Sequence, residues 1–337
     1  MSESKHLEIE RGLTDDFSIP SGIQRISFDE RLPQDDLEKL GNELYHRPEI
    51  AVAACFRHVS LRSKRTLEPI TDLEFLRYFP NIRNLYIDLW ELIDISGLRY
   101  IRSLESFSLG ETKTKRHSLR FLEMFPNIRE LSLEGHVKGI DAIRSLQKLE
   151  CLRLRCVTLP DTSILEPLQD LRTLELVLGG TVRLQGLCKL SKLRHLELTM
   201  IRKLDDVNVI GELRNVETLH LQGLRNVTEL PSLRNLTRLR SVYLETMKGL
   251  QHIRGVAEAP SLQKLILIDM TKVDPTSLRC LVGHPTLREF RGGLGSIKRN
   301  AYAEALLDLE PQVWLPPGVR EKAVLQIAIE DAKRMMN

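Results

Sequence analysis

The sequence predicts an α/β solenoid: short parallel strands stacked on one wall, 3₁₀ or irregular turns on the other, and a helix near each end. Three observations predict it. The first is a recurring pattern, apolar-x-x-apolar-x-apolar, at Ile82-Leu85-Ile87, Leu104-Phe107-Leu109, Ile128-Leu131-Leu133, Leu149-Leu152-Leu154 and Leu171-Leu174-Leu176. It continues at Leu193-Leu196-Leu198, Val216-Leu219-Leu221, Leu239-Val242-Leu244, Leu262-Leu265-Leu267 and, more weakly, Leu287-Phe290. Successive starts lie 22, 24, 21, 22, 22, 23, 23, 23 and 25 residues apart, a period that marks a repeat array. The second is the excess of leucine, 60 of 337 residues. The third is a step of three between strands, as in Ile201, Leu204, Val207, Ile210 and Leu213, which fits a three-residue turn better than the 3.6 of an α-helix.

The pattern dictates local structure. In L-x-L the two leucines face one side and their neighbours the other, as in a short strand. The step of three then turns an apolar residue inward at nearly every turn. One coil cannot bury that stripe alone, so it must stack on the coils before and after it.

These units resemble the leucine-rich repeat family, whose unit reads LxxLxL, over roughly residues 50–295. The resemblance implies a right-handed, curved solenoid with its parallel sheet on the concave face and 3₁₀ or short helices on the convex face. The commonest members place asparagine three residues after the last strand leucine. Here that position holds Trp90, Thr112, His136, Val157, Gly179, Ile201, Leu224, Met247 and Met270, so the asparagine ladder is absent and the turns depend on backbone or water. This looks more like the irregular repeats of receptor and effector proteins.

Element by element, a first copy is expected at Ile23-Ile26-Phe28 and a weak one at Phe56-Val59-Leu61. Between them, Leu37, Leu40 and Leu44 have helical spacing, bounded by Pro33 and Pro48. The longer unit HSLRFLEMF, before Pro126, has room for a helical turn or two. Val324, Ile327 and Ala328 predict an amphipathic helix after Pro316-Pro317, a cap over the terminal coil or a partner-binding tail. The expected division is a capping segment 1–48, a solenoid 49–295 and a helical cap 296–337.

Composition bounds function. Forty-nine Lys and Arg against 46 Asp and Glu leave a net charge of +3, which excludes steering by net charge. Within the repeat, Arg83, Arg129, Arg172, Arg194 and Arg240 share a column with Glu105, Glu150 and Glu217, so that column reads as cross-strand ion pairs rather than a nucleic-acid stripe. No run of about 20 apolar residues predicts a membrane span. The N-terminus MSESKHLEIERGL lacks the apolar core of a signal peptide, and the expected address is the cytoplasm, with delivery by another secretion route left open. Cys55, Cys151, Cys156, Cys188 and Cys280 are scattered, without a CxxC pair, and are expected to be reduced and mostly packed.

No phosphate-binding, metalloprotease, serine-hydrolase or zinc motif occurs, so no catalytic residue, metal, cofactor or small-molecule substrate is expected. A Cys188–His195 nucleophile pair is weakly supported because Cys188 lies in the apolar run LQGLCKL. The informative side chains are those flanking the strand leucines on the concave wall: Arg153, Glu175, His195, Glu197, His220, Tyr243, Glu245, Ile266 and Ile268. Glu175 and Glu197 should lie side by side, and Ile266 and Ile268 should face solvent beside Tyr243, a plausible hot spot. The alternative is that Arg153 neutralises Glu175, His220 bonds Glu197 and the C-terminal cap covers the isoleucines. The expected function is a non-enzymatic scaffold binding a protein partner through these residues. An immunity or inhibitor protein, a delivered bacterial effector, and an enzyme with a site near His284, Arg291 and Trp314 are the alternatives.

Overall fold

The structure is a computed structural model that describes residues 5–55, 68–309, 322–324 and 326–327. It divides into two compact units, Met1–Val157 and Thr158–Asn337. The repeat expected at Phe56-Val59-Leu61 and Trp314 lie outside the described residues.

In the first unit, strands β1 (His6–Glu8), β2 (Arg25–Phe28), β3 (Ala51–Cys55), β4 (Asn84–Asp88), β5 (Ser106–Leu109), β6 (Glu130–Glu134) and β7 (Cys151–Arg155) pair in chain order, all parallel. Register aligns the inward residues of each copy: Leu85 with Phe107, Leu131 and Leu152, and Ile87 with Leu109, Leu133 and Leu154, all buried. The third strand is Ala51–Cys55, ahead of the expected Phe56 copy, because Val52 and Ala54 supply the inward positions without leucine. Helix α1 (Gln34–Tyr45) starts after Pro33 and buries Leu37, Leu40 and Leu44, as the spacing requires.

In the second unit, β8 (Thr173–Val177), β9 (His195–Thr199), β10 (Thr218–Gln222), β11 (Ser241–Glu245), β12 (Lys264–Ile268) and β13 (Glu289–Gly292) repeat the arrangement. Their inward ladder runs Leu174, Leu196, Leu219, Val242, Leu265 and Phe290, with Leu176, Leu198, Leu221, Leu244 and Leu267 beside it. Helix α2 (Arg254–Ala257) is one turn long. Helix α3 (Ile297–Leu307), which the repeat pattern does not announce, packs on the 3₁₀ helix Pro275–Leu281 and on β13. The helix expected near Val324 is helical at residues 322–324 and 326–327, and Ala328 is outside the described residues.

The return segments are mostly 3₁₀, as the step of three predicts: Ser96–Tyr100, Leu119–Met124 and Ile140–Ser145 in the first unit, Thr162–Leu165, Gln185–Lys189 and Asn208–Glu212 in the second. Several begin at an aspartate whose carboxylate accepts the backbone N–H two residues on, as Asp161 does from Ser163 at 2.8 Å and Asp274 from Thr276 at 2.9 Å. Bonds from Ser163 hold the Asp161 carboxyl below its usual range. In its repeats, parallel ladder and 3₁₀ returns, this is a leucine-rich repeat solenoid.

The turns are satisfied without an asparagine ladder. Directly after each of β6 to β12, one residue takes positive φ: Gly135 (75°) and Cys156 (53°) in the first unit, then Leu178 (58°), Met200 (50°), Gly223 (64°), Thr246 (50°) and Asp269 (49°) in the second. That twist turns the N–H towards the next coil. Gly135 donates to the Arg155 carbonyl at 2.9 Å, Leu178 to Thr199 at 2.9 Å and Met200 to Gln222 at 2.7 Å. The former asparagine column fills the core instead, with Ile201, Leu224, Met247 and Met270 buried; Trp90 is the exception and faces solvent.

His136 takes over the missing asparagine's work in its own coil. Its Nε2 donates to the Gly110 carbonyl at 3.0 Å, the ring is fully buried, and Nδ1 has no hydrogen-bond partner. Burial pushes its pKa below the ordinary 6.5, helped by His117 and Lys115 and opposed by the Gly110 bond and Glu111. The neutral ring's contribution to stability is therefore intact above about pH 6.5. It is lost as pH falls below that value towards the folded pKa, because the unfolded chain takes up the proton first. Urea unfolding between pH 7.5 and 5 should show wild type losing stability faster than His136→Asn, by at most about 1.4 kcal/mol per pH unit. Equal slopes would remove His136 as the acid-sensitive group.

Candidate functional site

On each strand the residues between and beside the inward leucines face away from the core. In the second unit, parallel register sets Glu175 beside Glu197, Glu197 beside His220, His220 beside Tyr243 and Tyr243 beside Ile266. The same pairing aligns Thr173, His195 and Thr218 in the adjoining column. Together these side chains line an open depression of about 320 Å³, so Glu175, His195, Glu197, His220 and Tyr243 from the expected set meet in one place.

Contacts order the depression. The Thr199 hydroxyl donates to Glu197 Oε1 at 2.9 Å, and His220 Nδ1 lies 3.5 Å from Glu197 Oε2. The His220 and Tyr243 rings meet edge to face with centroids 5.9 Å apart. On the far side of Tyr243 the Lys264 ammonium sits 5.9 Å from the ring centroid and is bonded to Glu289 at 2.8 Å, which raises its pKa. The expected His220–Glu197 contact is thus present.

The other nominated residues separate. Glu245 is half-buried outside the depression, and its carboxylate makes no hydrogen bond or ion pair among the described residues. Ile268 is 43% exposed, as expected, but Ile266 is only 5% exposed. The expectation that Ile266 faces solvent is corrected: it stands between Tyr243 and Arg291 in the ladder, flanked by long side chains on both strands. Arg153 belongs to the first unit, where it lines a different depression.

That second depression, about 280 Å³ on the sheet face of the first unit, was missed in the sequence. Small outward residues, Ser108 on β5 and Ser132 on β6, leave a hollow between Arg25 and Tyr86 on one side and Arg153 and Arg155 on the other. Arg25 stacks on Tyr86 at 4.9 Å, and Arg155 Nε is 2.7 Å from Glu134. Burial, with Glu134 nearby, raises the Asp88 carboxyl.

The charged column beside the strands is structural, as its alternation indicates. Arg83 pairs with Glu105 at 3.3 Å, Arg129 with Glu150 at 2.6 Å and Arg194 with Glu217 at 3.3 Å. The cysteines are all free, yet Cys156, Cys188 and Cys280 are exposed and Cys55 and Cys151 half-buried, which corrects the expectation that most are packed. Cys188 sits on the outward side of its 3₁₀ helix, while Leu187 takes the core position. Burial around Cys280 raises its thiol pKa, the opposite of what a nucleophile needs. Among the described residues, no group of three His, Cys, Asp or Glu could hold a metal ion, and no helix is long and apolar enough to cross a membrane.

Solved structures share the repeat architecture. An internalin, inlF, of Listeria monocytogenes str. 4b F2365 is 17% identical, with 83% of this chain and 84% of that chain covered at a TM-score of 0.49. A leucine-rich repeat protein of Leptospira interrogans is 15% identical over 87% of this chain and 92% of that chain, with a TM-score of 0.44. The leucine-rich repeat domain of the type III effector XopL is 18% identical over 69% and 71% of the two chains, with a TM-score of 0.42. At such identities and scores they bear on neither partner nor chemistry. No protein-family model matches the chain, and no curated protein is similar to it in sequence.

Proposed function

We propose that the protein is a non-catalytic recognition module that binds another protein through the outward sheet face of β8 to β11. The observation that carries this reading is the depression itself, where two carboxylates, two histidines and a tyrosine converge although none is needed to close the core. Interface hot spots have this chemistry, with an aromatic anchor among groups that form directed hydrogen bonds. The face is built on strands, so a partner meets a pre-formed surface and little ordering entropy is spent on binding. Five free cysteines suit a reducing compartment such as the cytoplasm.

Affinity capture from native lysate, followed by mass spectrometry, tests the reading with wild type against Glu197→Arg/Tyr243→Ala. The wild type should retain a partner that the folded variant loses, with affinity for the purified partner reduced at least about tenfold, or 1.4 kcal/mol. A partner held equally by both proteins would place binding elsewhere. The partner's identity decides between an adaptor, an inhibitor or immunity protein, and a delivered effector.

A further inference from the structure

The depression in the first unit is lined by two opposite charges that do not pair. Asp88, the last residue of β4, makes no hydrogen bond or ion pair among the described residues. A Cβ added at Gly110 would lie 2.6 Å from Asp88 Oδ1, so the missing side chain there leaves the carboxylate its place over the floor of the hollow. Partial burial and the nearby Glu134 both disfavour its charge, and no bond within the chain offsets that cost.

Arg25 is the counterpart. Its guanidinium stacks on Tyr86 and donates to Cys55 Sγ at 3.7 Å, a weak acceptor, while Nε is buried with no acceptor at all. No carboxylate pairs with it among the described residues. In the same hollow Arg155 does hold Glu134, so the fold can pair charges here and leaves these two apart. The half-buried Ser108 and Ser132 add two hydroxyls that bond nothing among the described residues.

A ligand that satisfies both charges carries a cation towards Asp88 and an anion towards Arg25. It must also be compact, because about 280 Å³ lies just below the range of about 300 to 1,000 Å³ for drug-sized ligands. The smallest body that meets both conditions has its ammonium and carboxylate on one carbon.

We propose that this depression binds a free α-amino acid as its zwitterion, the ammonium on Asp88, the carboxylate on Arg25, and the hydroxyls of Ser108 and Ser132 completing the hydrogen bonds. The site is separate from the docking face of β8 to β11, and either can fail without the other.

L-Alanine is the probe, with methylammonium and acetate as its two halves and phosphoethanolamine as a zwitterion of the lipid-headgroup kind. In NMR titrations of the full chain, L-alanine should shift the amides of Asp88, Ser108, Gly110 and Ser132 saturably in the millimolar range. Each half should bind at least tenfold more weakly. Asp88→Asn is nearly isosteric and breaks no bond within the chain, so its fold is retained, and it should weaken L-alanine binding at least fivefold. Arg25→Gln should do the same, whereas Lys203→Gln, an exposed charge in the second unit, should leave it unchanged. Absence of saturable shifts, wild-type affinity in Asp88→Asn or Arg25→Gln, or one half binding as well as L-alanine would overturn the proposal. Tighter binding of phosphoethanolamine than of L-alanine would overturn the assignment to an amino acid.

Discussion

Replacing Leu221 by alanine should destabilise the protein by about 3 kcal/mol, within the range of about 2 to 5 for buried leucines. Leu221 is fully buried and stands in register between Leu198 and Leu244, which are buried too. A solenoid coil packs only on its neighbours, so the gap cannot be filled from across a globular core. The strand backbones on either side are fixed by the ladder and cannot collapse into it. Urea unfolding of the full chain should show a lower midpoint with little change in slope. His195→Ala, on the exposed column of the neighbouring strand, should stay within about 0.5 kcal/mol of wild type. A Leu221→Ala cost below about 1 kcal/mol would mean the inner ladder is not the core of the stack.

The contrast between Leu221 and His195 also marks what could be read from sequence. Strand and turn positions were legible because burial imposes them in one dimension: period two for the strand, a step of three for the return. From those two periods come the inward ladders and the outward columns, and with them the meeting of Glu175, Glu197, His220 and Tyr243. Where leucine gives way to smaller residues the signal fails. In Ala51–Cys55 alanines supply most of the strand, and its inward Val52 and Ala54 lie seven residues before the Val59 and Leu61 of the expected copy. The three-residue strand His6–Glu8 buries none of its residues and carries no apolar period.

Outward positions are harder, because their burial depends on the neighbouring strand. Ile266 and Ile268 have the same period and residue type, yet one is covered and the other exposed. Ile266 has Tyr243 and Arg291 on either side in the ladder, whereas the β12–β13 pairing ends at Leu267 and Gly292, before Ile268. The first unit's depression was illegible for a related reason. It is made by what Ser108 and Ser132 lack, and small side chains announce no chemistry.

The same dependence on neighbouring coils makes Gly255 a sensitive position on the return wall. A Cβ added there would lie 2.1 Å from the Pro231 carbonyl oxygen and 2.7 Å from that of Leu230, both backbone atoms that no rotamer can move aside. Relief requires the coils to part, which strains the bond from Leu233 N–H to the Gly255 carbonyl at 3.1 Å and loosens the packing of Val256 beside it. Gly186 meets Thr162 in the same way within this unit, as Gly97 meets Leu73 in the other, so tight stacking recurs along the wall. Gly255→Ala should therefore cost about 3 kcal/mol, at the upper end of ordinary overpacking. Gly283→Ala is the informative comparison, since Gly283 has φ of 73° with nothing within 4 Å of an added Cβ. Its penalty is one of backbone conformation alone, about 1 to 2 kcal/mol. Urea midpoints that place Gly255→Ala clearly below Gly283→Ala would assign the larger loss to contact between coils. The reverse order would mean the return segments are free to spread, and that the strands alone set the spacing at which Glu175 and Glu197 are held.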